Sequence, residues 1–171
     1  MRLNKLIWIP LTLLLLNCER TNDKLFSIDK PTQHENDFLF LAESTNVENL
    51  QPDSLILFLR KDEFIAYDPV TTSYKNFGQI YKGDKFKIFV LLRSIDTDGR
   101  DYTFIVRTFD NGWKIIDDFE FGNWDEVKKK FCVGSIDKRL IIEKKCDEKE
   151  TSDIMQITDE GKIVMTSFHK P

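Results

Sequence analysis

Three acidic residues, Asp117, Asp118 and Glu120, fall within one short run, Ile115-Ile116-Asp117-Asp118-Phe119-Glu120-Phe121. Glycoside hydrolysis needs two carboxylates about 5–10 Å apart across a sugar site, and these three acids are the candidates for such a pair. A second run, Asp96-Thr97-Asp98-Gly99-Arg100-Asp101, groups Asp96, Asp98 and Asp101. Hard cations such as calcium take oxygen ligands of this kind. The EF-hand spacing requires a further acid before the glycine and a bidentate Glu well after it. Here Arg100 intrudes and Ile105 stands where that Glu would be. The run therefore reads as a solvated turn rather than a metal site, and no cofactor is implied.

Trp113 and Trp124 are the residues suited to ligand or partner contact. An exposed indole stacks on sugar rings or anchors a protein, and the competing role for each is to cap the end of a core. No GxSxG, HExxH, phosphate loop or dinucleotide fingerprint occurs. His34 and His169 lie near the two ends of the chain and face no nucleophile in sequence. The chain has 25 basic and 29 acidic residues, a net charge of −4, so it lacks the basic excess that grips nucleic acid.

The elements that would position these residues are strands. Period-2 alternation dominates from Phe38 onward, and no long window has helical period. Expected strands are Phe38–Ala42, Ser54–Arg60, Glu63–Asp68, Lys75–Tyr81, Lys85–Ile95, Tyr102–Phe109, Trp113–Phe121, Arg139–Lys145, Ile154–Thr158 and Lys162–Phe168. They are separated by turn signals at Lys61-Asp62, Gly83-Asp84, Asp98-Gly99, Asn111-Gly112 and Asp159-Glu160-Gly161. Asn-Gly predicts a two-residue type I′ turn, and Asp159-Glu160-Gly161 a three-residue loop with Gly161 in the left-handed position. Trp124–Phe131 predicts one short helix. The fold class is all-β, an antiparallel meander of about ten strands forming a sandwich or barrel.

The register across Asn111-Gly112 sorts Tyr102, Phe104, Val106, Phe119 and Phe121 onto one apolar face, with Arg107 and Asp118 together on the other. Asp117 falls on the apolar face in this register. A bulge near Ile116-Asp117 turns it outward; the alternative is a buried carboxylate with a partner.

The amino-terminal stretch is an address. Arg2 and Lys5 precede an apolar run, Leu6–Leu16, too short to span a bilayer as a helix and suited to a secretory signal. The run closes on Leu15-Leu16-Asn17-Cys18, which resembles the lipobox of bacterial lipoproteins, with Asn17 where that family has Gly, Ala or Ser. The resemblance covers residues 1–18 and implies that Cys18 is acylated through its sulfur and becomes the mature amino terminus. It divides the chain into a signal peptide at 1–17, a tether at 18–31 and a single β-rich domain at 32–171. The mature chain would have 171 − 17 = 154 residues and a net charge of 23 − 29 = −6. With Cys18 set aside, Cys132 and Cys146 remain, and an even pair in an exported chain reads as a disulfide, two free thiols being the alternative.

The expected protein is an exported lipoprotein held on the bilayer through Cys18 in the cell envelope, on its periplasmic face or at the cell surface. Its domain reads as a non-catalytic module that binds another envelope protein, as an accessory subunit, inhibitor or immunity-type partner. A glycan- or lipid-binding module is the second reading. A hydrolase built on the Asp/Glu pair is the third.

Overall fold

A computed structural model describes residues 23–28, 47, 49–97, 100–125 and 127–166. Nine strands make one antiparallel sheet: β1 (Lys24–Ile28), β2 (Thr72–Lys82), β3 (Phe86–Asp96), β4 (Arg100–Asp110), β5 (Ile115–Asp125), β6 (Lys130–Asp137), β7 (Ile141–Cys146), β8 (Asp153–Ile157) and β9 (Ile163–Met165). Two short helices, α1 (Pro52–Phe58) and α2 (Lys61–Ala66), precede β2. From β2 to β9 every strand pairs with the next in sequence, so the fold is the expected meander. β2 and β9 lie at the two ends of this path, and the sheet stays open as a sandwich rather than closing into a barrel.

The core follows from the alternation. Ile88, Val90 and Leu92 of β3, Phe104 and Val106 of β4, and Phe121 of β5 point inward. Ile136, Ile142 and Ile157 face them from β6, β7 and β8, and Ile28 joins from β1. β6 is the hinge between the layers. Its first residues pair with β5, Gly134 to Asp137 pair with β1, and Cys132 to Ile136 pair with β7. Because a strand has only two hydrogen-bonding edges, β5 and β1 share one of them in succession. The crossing is close: a Cβ on Gly134 would lie 2.1 Å from the Phe121 carbonyl oxygen and 2.6 Å from its ring. Cys132 and Cys146 sit directly opposite each other on β6 and β7 and form a disulfide. It closes a loop of about 15 residues, worth roughly 3 kcal/mol by chain entropy.

Several expectations need correction. Ser54–Arg60 and Glu63–Asp68 are not strands; α1 and α2 occupy these stretches. Pro52 at the first helical turn needs no N–H partner there, and Leu55, Phe58 and Leu59 fall at i, i+3 and i+4, so one helical face is buried. The helix expected at Trp124–Phe131 is instead the β5–β6 hairpin, turning over 127–129 with Lys129 at φ 57°. Trp124 pairs directly with Phe131, their rings 6.3 Å apart, and the same spacing that suggests one helical face fits two strands facing each other. Lys24–Ile28, inside the stretch expected to be a tether, is β1. Phe38–Ala42 lies outside the described residues.

The turns divide in the same way. Asp159-Glu160-Gly161 forms the expected three-residue loop: Thr158 N–H donates to Lys162 O at 2.8 Å and Gly161 takes φ 81°. Asn111-Gly112 does not form a two-residue turn. Asp110 N–H donates to Lys114 O, and Trp113, not glycine, takes the left-handed position at φ 67°. A three-residue loop built on a type I turn places its third residue there. The bulge expected near Asp117 is present, since the register shifts between Thr108 opposite Asp117 and Phe109 opposite Ile115.

Gly134→Ala is expected to lower the unfolding free energy by at least about 2 kcal/mol, because backbone rather than a movable side chain blocks the new methyl. Urea denaturation of the oxidised protein tests this; an unchanged midpoint would contradict the close β5–β6 crossing.

Candidate functional site

The outer face of β3–β5 carries a buried cation. Arg107, expected diagonal to Asp118 on one face, lies directly opposite it, 1% exposed and 3.3 Å from its carboxylate. Its Nη1 donates to the Phe58 carbonyl at the end of α1, and its Nη2 donates to Glu63 Oε1 of α2 at 2.7 Å. The other Glu63 oxygen accepts the Arg60 backbone N–H at 2.7 Å, capping α2. Arg60 returns to the sheet through Nε, 2.6 Å from Asp118. One guanidinium thus fastens both helices to β4 and β5. Among the described residues Arg107 Nε has no hydrogen-bond partner.

Apolar packing completes the seat. Phe58 lies edge-on to Phe89 and Phe109, with Leu91 and Ile105 beside them. Leu55 and Leu59 pack on Tyr74. With these faces turned inward, α1 and α2 turn the rest outward: Ile56 is 65% exposed, Leu57 50%, Phe64 42% and Ile65 74%. Four large apolar side chains on two consecutive short helices form a surface ridge of the kind that marks a contact site. Strand alternation does not reveal this ridge. The signal was the i, i+3, i+4 set Leu55, Phe58 and Leu59 after a proline, read there as a strand.

The two tryptophans separate. Trp113 is 41% exposed at the β4–β5 turn, its ring 5.5 to 6.2 Å from Phe89, Phe109 and Phe58, with Lys87 Nζ 4.2 Å from its centroid. Trp124 is 5% exposed and belongs to the core, so the surface contact expected of it is corrected.

Asp117, Asp118 and Glu120 are each engaged. Asp118 lies between Arg107 and Arg60, and Glu120 is 3.0 Å from Arg93. The bulge turns Asp117 so that its Oδ2 accepts the Ile163 N–H at 2.9 Å and its Oδ1 the Asp118 N–H. Thr108 Oγ1 accepts the Asp117 N–H and donates to Gly161 O at 2.6 Å, tying the bulge to the β8–β9 turn. Asp96 and Asp101 lie on β3 and β4 where these strands meet, and Asp98 is outside the described residues, as are Cys18, His34 and His169. Among the described residues no group of three metal-binding side chains converges. Asp101 instead faces Asp125. Burial first, and the Asp125 charge second, hold its carboxyl above the usual range, against the pull of Lys128 and Arg93.

A cavity of about 340 Å³ opens between Asn49, Val70, Ser73, Ser94, Asp96 and Tyr102. Another, of about 390 Å³, lies beside Ser135, Asp137, Arg139 and Glu143. The first is lined mainly by polar groups, the second more by apolar surface, with Ile141 and Ile154 in its wall, and Trp113 lines neither. No helix among the described residues is long and apolar enough to cross a membrane. Comparison of the chain with protein-family models, curated proteins and solved structures gives no match.

Two outcomes follow. Arg107→Met is expected to cost about 3 kcal/mol, because the Phe58 carbonyl and Glu63 lose a buried donor; urea denaturation measures it, and a loss below about 1 kcal/mol would deny the clamp its role. A carboxyl whose pKa is raised by folding stabilises the folded state only while protonated and loses that contribution as pH rises through the folded value. Asp101→Asn is therefore expected to raise the urea midpoint at neutral pH, with the gain shrinking as pH falls through the raised value and gone once pH is below the ordinary carboxylate value. A gain independent of pH would refute the assignment.

Proposed function

We propose that this chain is an exported lipoprotein of the bacterial envelope whose domain is a non-catalytic module binding another envelope protein. In this reading residues 1–17 are the signal peptide, acylated Cys18 holds the mature chain on the bilayer, and a short tether leads to the β-rich domain. The observation that carries the binding role is the ridge of Ile56, Leu57, Phe64 and Ile65. Side chains of this size, exposed together, gain by being covered. Exposed apolar side chains on two helices suit a protein partner, and Trp113 lines neither of the two cavities.

A non-catalytic role is supported by the engagement of Asp117, Asp118 and Glu120 with guanidinium groups or backbone N–H donors. A carboxylate held by a guanidinium or backbone N–H must give up that partner before it can take or give a proton to a substrate. The second reading, a glycan- or lipid-binding module, rests on the exposed ring of Trp113.

Detergent-solubilised protein, captured from its native envelope and followed by mass spectrometry, tests the proposal in wild-type, Ile56→Asp/Ile65→Asp and Trp113→Ala forms. The expected result is one stoichiometric protein partner, reduced at least about tenfold by the double variant, since covering an isoleucine is worth about 2 kcal/mol. Trp113→Ala should leave that partner in place. Retention on polysaccharide or lipid alone, lost in Trp113→Ala, would replace the protein-binding reading with the second. In the same cells Cys18→Ser is expected to abolish acylation and release the protein from the membrane fraction; unchanged fractionation would overturn the anchor.

A further inference from the structure

The entry point of the chain, four turns and the exposed tryptophan all lie at one end of the sandwich. Asn111 Nδ2 donates to Asp84 O at 2.6 Å, joining the β4–β5 turn to the β2–β3 turn. Thr108 Oγ1 reaches Gly161 O, bringing in the β8–β9 turn. Ile157 N–H donates to Leu140 O, adding the β6–β7 turn, and Lys138 N–H donates to Asp23 O at 2.8 Å, where the described chain begins.

Reach then sets the orientation. Cys18 precedes Asp23 by five residues. Five residues, fully extended, span at most about 18 Å. β3 and β4 have 11 residues each, about 37 Å of strand. An acyl anchor at Cys18 therefore holds the Asp23 end near the bilayer and cannot bring the opposite end equally close without laying the domain on its side.

Charge and side-chain chemistry agree with this orientation. Lys82, Lys85, Lys114 and Lys162 at the Asp23 end are exposed and make no ion pair among the described residues. With Lys24, Lys87, Lys138 and Arg139 they make eight basic residues at that end against six acids, Asp23, Asp84, Asp110, Asp137, Asp159 and Glu160; Lys138 and Arg139 are held by Asp23 and Asp137, and the mature chain carries −6 overall. The opposite end carries Asp96, Asp101, Asp125, Asp147, Glu148 and Glu150, and two of its lysines, Lys128 and Lys130, are taken up by Asp125 and Glu148. Trp113 stands at the basic end, its indole lodged against phenylalanines on one side and open to solvent on the other. Amphipathic rings with lysines around them are the groups that settle at a headgroup boundary.

We propose that this end of the sandwich docks on an anionic phospholipid surface, with Trp113 at the headgroup boundary and the lysine rim against the phosphates. The inference rests on the acylation of Cys18 proposed above. It leaves the α1–α2 ridge, on the outer face of β3–β5, open to a protein partner.

The mature chain contains only Trp113 and Trp124, since Trp8 lies within the signal peptide. This makes a quenching experiment direct. Purified full-length mature protein, its acylation checked by intact mass, is reconstituted into vesicles of phosphatidylcholine and phosphatidylglycerol with brominated acyl chains. Wild-type emission from Trp113 is expected to fall roughly twofold, as for an indole buried to the acyl boundary. Trp113→Phe leaves the core Trp124 alone, whose emission should not change. Quenching should weaken in phosphatidylcholine alone and in Lys82→Glu/Lys114→Glu/Lys162→Glu. Acylated protein whose Trp113 is unquenched in anionic vesicles would overturn the docking while leaving the anchor intact. Trp113 unquenched in vesicles, but shielded when an envelope protein is bound, would give the indole to that protein instead. Equal quenching without anionic lipid would overturn the charge complementarity. A mass showing no acyl group on Cys18 would remove the anchor and, with it, the reach that orients the domain.

Discussion

The buried guanidinium of Arg107 is the constraint around which the outer half of the molecule is arranged. It sits on the face of β4 that looks away from the main core, where desolvation would be costly without partners. Its partners come from three places in the chain: Asp118 on the neighbouring strand, Glu63 on α2 and the Phe58 carbonyl at the end of α1. Glu63 uses one oxygen for Arg107 and the other to cap its own helix. The polar cluster and the Phe58–Phe89–Phe109 packing beside it therefore hold the same two helices, one by direction and the other by buried area. Helices this short have little stability of their own, so this seat determines whether they exist.

The second linkage is at the bulge. One extra residue at Ile116 moves Asp117 off the register of the apolar face, and its carboxylate then meets the backbone of β9. Thr108, fully buried, bridges the same bulge to the β8–β9 turn. An acid that looks misplaced in a flat register thus becomes the fastener between the first and last parts of the meander. Its local hydrogen bonds also explain why an acidic run on a strand edge need not be a reaction site.

These two fasteners leave the domain with surfaces of different character. The α1–α2 ridge is apolar, the Asp23 end is fringed by lysines around one exposed indole, and the opposite end is acidic. If the chain is tethered as proposed, such division would let one surface meet the bilayer while another meets a partner. Trp113 stands at the Asp23 end, yet its ring rests on the aromatic cluster that also seats Phe58. Whatever touches Trp113 therefore acts on the packing beneath the ridge.

Strand content, the meander, the Asp159-Glu160-Gly161 loop, the facing of Arg107 and Asp118, and the pairing of Cys132 with Cys146 were legible in the sequence because each depends on short-range alternation, turn chemistry or simple counting. The lipobox resemblance is likewise a local pattern. What the sequence did not settle depends on contacts between distant segments. Ser54–Arg60 is apolar in a way that serves a strand or a helix, and only the surface of β3–β5, with Arg107 waiting beneath, selects the helix. Trp124 and Phe131 mark either one helical face or two facing strands, and the core behind them selects the strands. Trp113 replaces glycine in the left-handed position because its ring gains a seat on three phenylalanines, against the local preference of Asn-Gly. Local free energies set the menu of elements, and the tertiary structure chose among near-equal options by the area and charge that each one buried.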